Sequence, residues 1–290
     1  MITSRDNKWL KLFRAALRGT GPRDGEPIGV EGPKLVEEAL RSGLEADALL
    51  VSEGAERSAE RILRAASESD AGIPQSRILH TTGKLFKSVA GTDAPQGVAA
   101  LFRQRPWGFD DILRGPGANG SNDANRKLAG ARPPLVIVLA ELQDPGNVGT
   151  ILRSAEAFGA TGAVASRGTA DPWSPKALRA SSGSALRLPL LRGMAIPVIL
   201  AQLRIAKVKI YAASSAPAAD ANASGGSLAS QADLRDAAAI FIGNEGGGVP
   251  DEVKRAADAM ISIPMAEPVE SLNAGVAASL VLYEAARQRK

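Results

Sequence analysis

The chain has no cysteine, one histidine and few aromatic residues, 4% of its 290. Without cysteine there are no disulfides, no thiolate metal sites and no cysteine nucleophile. The single histidine, His80, leaves almost no room for imidazole metal binding or a Ser-His-Asp triad, and in RILHTTGK it reads as a strand-end or turn residue. No apolar run reaches the roughly 18 residues of a membrane span. The opening MITSRDNKWLKLFR lacks the apolar stretch and small-residue cleavage site of a signal peptide, so a cytoplasmic location is expected. A P-loop, a G-x-S-x-G elbow and an H-E-x-x-H helix are all missing. The chemistry must come from other groups.

An apolar share of 44% supplies ordinary globular cores, and the length suits two domains. The net charge of +4 fits a polyanionic partner without requiring one. Its distribution is uneven: Arg5, Lys8, Lys11, Arg14, Arg18 and Arg23 face one acid, Asp6, near the N-terminus. On a helix, Lys8, Lys11 and Arg18 share one side, and Trp9, Leu12, Phe13, Ala16 and Leu17 form the other. The charged side suits either a solvated surface or contact with RNA phosphates.

Residues 1–105 alternate helical patterns (5–18, 33–42, 59–66) with extended ones (27–31, 48–51, 97–102), as a small α/β domain would. Residues 106–134, ending in GPGANGSNDANRKLAGARPP, read as a flexible linker. In residues 135–290, short apolar runs at 135–140, 162–165, 208–212, 238–242 and 260–264 alternate with helical stretches. That alternation predicts an α/β fold with a parallel sheet covered on both faces. Residues 214–232, rich in Ala, Ser and Gly, read as a loop insertion.

Three segments of this half carry candidate chemistry. QDPGNVGTILRSAEAFGA (143–160) follows a strand; Asn147 suits an N-cap, and Arg153 lies six residues on. In FIGNEGGGVP (241–250) a strand runs into Gly243, then one acid, Glu245, and three glycines. A plain turn needs fewer glycines, so this loop reads as a ligand loop at the C-terminal end of a parallel strand. In ISIPMAEPVESLNAGVAASLVLYEAARQ (261–288) a strand ends at Pro264, and Ser271-Leu272-Asn273 opens a long helix that Ser271 would cap.

In this order and spacing, the three segments resemble the SpoU (TrmH-like) family of RNA ribose 2′-O-methyltransferases, over residues 135–290. SPKALRASSGSALRLP (174–189) matches the stretch between the family's first and second motifs. The resemblance implies an S-adenosylmethionine-dependent methyltransferase domain ending in a trefoil knot, acting as a homodimer without a metal. More loosely, ITSRDNKWLK and IGVEGPKLVEEAL (28–40) resemble the substrate-binding domain attached to such enzymes, which implies a ribosomal RNA target. By position, Asn147, Arg153, Glu245, Ser271 and Asn273 take the catalytic motif places. Gly243, Ile263 and Leu272 take those whose backbone holds the cofactor's adenosine. The resemblance further implies that Arg153 of one subunit assists deprotonation of the ribose hydroxyl, or binds the adjacent phosphate. Glu267 and Ala274 depart from the family pattern, which has glycine and valine there. Three other readings stay open: a non-catalytic RNA-binding or ribosome-assembly factor on this fold, a transfer RNA target, and an unrelated dinucleotide-dependent enzyme.

Overall fold

The computed structural model describes residues 1–68, 73–115, 132–214 and 227–290. It divides into two compact units: Met1–Pro106 with Asp171–Arg187, and Trp107–Ala170 with Leu188–Lys290. No helix among the described residues is long and apolar enough to cross a membrane.

The first unit holds α1 (Lys8–Arg18), β1 (Ile28–Glu31), α2 (Pro33–Arg41), β2 (Ala46–Ser52), α3 (Glu56–Glu68), β3 (Ile78–Thr81), α4 (Gly83–Val89) and β4 (Val98–Phe102). From the later sequence it adds α7 (Pro175–Ser181) and α8 (Ser184–Arg187). Its sheet runs β1-β4-β2-β3, antiparallel except between β2 and β3. Asn7 caps α1, its side chain accepting the N–H of Trp9. The buried face of α1 is Leu10, Phe13 and Leu17, packed with Phe86 and Val89 of α4 over Ala48, Leu50, Ala99 and Leu101. Leu12, expected on the apolar side, is 43% exposed, because the face centred on Leu10 and Phe13 turns it outward. Arg18 donates to the carbonyls of Ala90 (2.8 Å) and Lys87 (3.3 Å). Lys11 pairs with Asp6, and Lys8 lies over the ring of Trp9. His80 is the penultimate residue of β3 and exposed, a strand-end position rather than a turn.

The second unit holds α5 (Phe109–Arg114), β5 (Leu135–Leu139), α6 (Pro145–Ala157), β6 (Gly162–Ser166), β7 (Leu190–Met194), α9 (Ile196–Ile205), β8 (Lys209–Ser214), β9 (Ser227–Leu228), β10 (Ala238–Ile242), α10 (Asp251–Ala256), β11 (Ala259–Ser262) and α11 (Ala274–Gln288). Seven parallel strands run in the order β7-β6-β5-β10-β8-β11-β9. LVIVL of β5 and AAIFI of β10 are buried at every residue, as strands covered on both faces must be. Because β10 inserts between β5 and β8, the strand order reverses there, and ligands bind beyond the strand ends at such a switch point.

Parts of the sequence reading need correction. The expected linker 106–134 contains α5, whose Ile112 is fully buried beside Val136, Val138 and Val164. The rest of that linker, from 116 to 131, and 215–226 of the expected loop insertion lie outside the described residues. Residues 227–228 form β9. The edge strand β7 was not expected, since only Leu190 and Leu191 of LLRGM resemble a buried run.

Candidate active site

Three loops leave the C-terminal ends of β5, β10 and β11 along one edge of the parallel sheet. In the first, Pro145 occupies the opening position of α6 and Asp144 is the cap, its carboxylate accepting from the N–H groups of Gly146 and Asn147, both at 3.2 Å. Asn147 is therefore not the cap expected from sequence. Proline, lacking an N–H and fixed near helical φ, suits the first helical position and so assigns the cap to the residue before it. This leaves the side chain of Asn147 available for other bonds, although only 9% of the residue is exposed.

Those bonds form a directed chain. The N–H groups of Gly275 (2.9 Å) and Val276 (3.3 Å), at the start of α11, donate to Asn273 Oδ1. Asn273 Nδ2 donates to Asn147 Oδ1 at 2.9 Å, and Asn147 Nδ2 donates to Glu245 Oε1. Asn273, not Ser271, caps α11. Every donor points towards Glu245, which an ionised carboxylate, having only acceptors, can receive. The positive end of the α11 dipole lies at the opposite end of the chain.

The second loop is closed on itself. Asn244 N–H donates to Gly248 O at 3.1 Å and Gly248 N–H to Asn244 O at 2.8 Å. A Cβ on Gly243 would lie 2.1 Å from the carbonyl carbon of Gly248, so only hydrogen fits there. Gly248 itself has φ +67°. The side chain of Asn244 accepts the Gly246 N–H (2.8 Å) and donates to the carbonyl of Glu141 (3.1 Å), tying the loop to the end of β5. Glu141 holds φ +58°, a conformation rare for residues with a side chain. Sequence reasoning missed Asn244; an asparagine two residues ahead of a turn amide is the signal that could have found it.

Between the loops lies a cavity of about 280 Å³. Gly243, Ile263 and Leu272 line it, with Glu245 and Ser271 at polar positions and Met265, Ala274 and Val281 supplying apolar wall. Lys254 of α10 also lines it and pairs with Asp251 at 2.9 Å, which holds that carboxyl below its usual range. Ala274 is buried, whereas Glu267 is exposed and absent from the lining. Arg153 is not brought in. Six residues beyond Asn147, it sits on another side of α6, exposed, with no hydrogen-bond or ion-pair partner among the described residues. Among those residues no three His, Asp or Glu side chains group as a metal site would need.

Beside the cavity α6 and α11 pack together. Ser154 and Ser279 share a hydrogen bond of 2.7 Å, and Phe158 meets Tyr283 edge-on at 5.7 Å. Val276, Leu280 and Tyr283 remain 44–55% exposed on α11.

Comparison with known proteins gives concordant matches. The SpoU rRNA Methylase family matches residues 134–283, and the MRM3-like substrate binding domain matches residues 25–100. A protein of Mycolicibacterium vanbaalenii named as an uncharacterized tRNA/rRNA methyltransferase is 34% identical over 265 residues, 90% of this chain and 76% of that one. An AdoMet-bound rRNA methyltransferase from Sinorhizobium meliloti has a similar structure, with TM-score 0.77 and 28% identity over 99% of this chain and 97% of that one. A solved RNA 2′-O ribose methyltransferase gives 0.71 and 28%, over 99% and 98%. The chain belongs to the SpoU family of RNA methyltransferases.

Proposed function

We propose that this protein transfers the methyl group of S-adenosylmethionine to a ribose 2′-hydroxyl of structured RNA, with ribosomal RNA as the target and the cytoplasm as its place of action. The observation that carries the proposal is the chain of hydrogen bonds from α11 through Asn273 and Asn147 to Glu245, at the wall of a cavity placed at the sheet's switch point. The similarity to an AdoMet-bound rRNA methyltransferase and to an RNA 2′-O ribose methyltransferase supports it.

The lining suits the cofactor. Ile263, Leu272 and Val281 offer apolar surface to an adenine ring, and Glu245 offers negative charge to a sulfonium. Gly243, Ile263 and Leu272, all in the lining, would hold the adenosine part of the cofactor. The bound cofactor supplies an electrophilic methyl group, and the protein positions the attacking oxygen in line with it. Glu245, at the end of the hydrogen-bond chain, would be the proton acceptor, its carboxylate taking the proton that the ribose hydroxyl loses. Asn147 and Asn273 orient that carboxylate, and Ser271 hydrogen-bonds the ribose. Arginine stays protonated in proteins, so Arg153 acts as a cation that binds the neighbouring phosphate and makes the hydroxyl more acidic.

An exposed Arg153 reaches a cavity when two subunits pair, so the enzyme works as a homodimer. The uncovered Val276, Leu280 and Tyr283 of α11, next to the site, support that pairing. The insertion of β10 between β5 and β8 supports a trefoil knot in the chain that follows. Calorimetric titration with S-adenosylmethionine and then S-adenosylhomocysteine tests the proposal. Saturable binding of both is expected; folded protein that binds neither overturns it.

A further inference from the structure

The two faces of the first unit's sheet are charged differently. α2 and α3 pack on each other and carry Lys34, Arg41, Arg57, Arg61 and Arg64 against Glu37, Glu38, Glu56 and Glu60. Glu37 pairs with both Arg41 (2.6 Å) and Arg61 (3.5 Å), so charge on that side is largely matched. α1 and α4 pack together over the side that presents Ala48, Leu50, Ala99 and Leu101, and they carry no acid at all. Their cations are Lys8, Lys11, Arg14, Arg18, Lys84 and Lys87.

These six cations are not equivalent. Arg14 donates to Ser88 O at 3.5 Å, and Arg18 to Ala90 O and Lys87 O. Both arginines thus tie α1 to the C-terminal end of α4, where free carbonyls collect, and they fix the two helices side by side. Lys84 and Lys87 are exposed and have no ion-pair partner among the described residues. Lys11 reaches one acid, Asp6, at 3.4 Å, and Asp6 is itself almost fully exposed. At the same end of α1, Trp9 is half-buried, with Lys8 Nζ at 5.8 Å and Arg77 Cζ at 5.1 Å from its ring centroid. Glu31, near the end of α4, is bound to the Gly91 N–H and the Thr92 hydroxyl.

Uncompensated like charges on neighbouring helices repel one another; the phosphates of a polyanion relieve that repulsion, and the counterions it releases add to the affinity. An aromatic ring among cations adds a stacking surface for an unpaired base. We propose that the α1/α4 face is where this protein docks RNA, with Lys8, Lys11, Lys84 and Lys87 along the phosphate strand and Trp9 against an unpaired base. This rests on the RNA methyltransferase reading above, and it names the binding surface. α4 lies within the segment matched by the substrate-binding family, whereas α1, with Lys8, Trp9 and Lys11, lies outside it.

The test measures binding of the full-length protein to a labelled 30-nucleotide hairpin RNA with an unpaired loop, between 50 and 200 mM salt. Lys84→Glu with Lys87→Glu is expected to weaken binding at least tenfold and to lower the salt slope by about 1.4–1.8, the share of two phosphate contacts. Trp9→Ala should weaken binding roughly tenfold to the hairpin loop but little to a fully paired duplex. Arg57→Glu with Arg64→Glu, on the charge-matched side, should leave the slope unchanged. Unaltered affinity and slope in the Lys84/Lys87 variant, or an equal loss in the Arg57/Arg64 variant, overturns the surface. A parent protein that binds S-adenosylmethionine but no RNA contradicts the functional reading itself.

Discussion

Asn147 joins two chemistries that a single substitution can separate. Its amide NH₂ serves Glu245 and its carbonyl oxygen receives Asn273. Asn147→Asp keeps the shape but sets a second carboxylate against Glu245. Single-turnover methylation should fall about a hundredfold, roughly 2.7 kcal/mol of barrier, while cofactor affinity stays within a few-fold; a rate within threefold of the parent contradicts the arrangement. Arg153 has no hydrogen-bond or ion-pair partner among the described residues, so its removal tests the dimer mechanism separately. Arg153→Ala should abolish methylation with cofactor binding intact, and unchanged turnover rules out its role. Sequence placed Asn147, Glu245, Ser271 and Asn273 in one neighbourhood. It misassigned both caps, because DPGN and SLN each offer two capping residues and only tertiary bonding decides which is left over.

At the scale of elements, strands with continuous apolar runs were legible and those without one were not. β5 and β10 are buried on both faces and announce themselves, whereas β7, at the sheet edge, keeps Arg192 and Gly193 within it. β3 and α4 are only four and seven residues long and are held by packing on Leu50 and Phe13 rather than by a repeating pattern. Connections between elements also carry stability. Asp258 accepts the Ile210 N–H at 2.8 Å and bridges to Arg204 at 2.8 Å, joining β8, α9 and the start of β11. Burial alone would raise the Asp258 carboxyl, but the Ile210 amide and Arg204 outweigh it and hold it below the usual range. A carboxyl depressed in the folded state stabilises fully above its unfolded pKa, near 3.9, and loses that contribution as pH falls through the lower folded value. Glu284, held at about 2 by Arg287 and Gln288, acts in the same direction. Denaturant unfolding should therefore show constant stability from pH 7 to 5 and a decline between about 4 and 2. Asp258→Asn should lower stability at pH 7 by about 1 kcal/mol and flatten that decline. A parallel decline in both proteins would remove Asp258 from the explanation.

For the whole molecule, the proposed role of Arg153 requires two subunits. The exposed Leu280 and Tyr283 of α11 lie one helical turn apart, beside the packing seam with α6. Leu280→Asp with Tyr283→Asp should give a monomer by light scattering that remains folded by circular dichroism and has lost methylation. A dimer that persists in this variant places the subunit contact elsewhere. The α/β fold with a parallel sheet was legible from alternating strand and helix patterns. That Asp171–Arg187 belongs with the first unit was not, because nothing in its composition marks a return to an earlier part of the chain.

The central claim, methylation of ribose rather than base, is tested most directly by the alkali resistance of the product. The protein is incubated with ribosomal RNA and S-adenosylmethionine labelled in its methyl group, and the RNA is then hydrolysed in base. A methylated 2′-oxygen cannot attack the adjacent phosphate, so the label should remain in an alkali-resistant dinucleotide. Label recovered in mononucleotides would mean base methylation and would contradict the account.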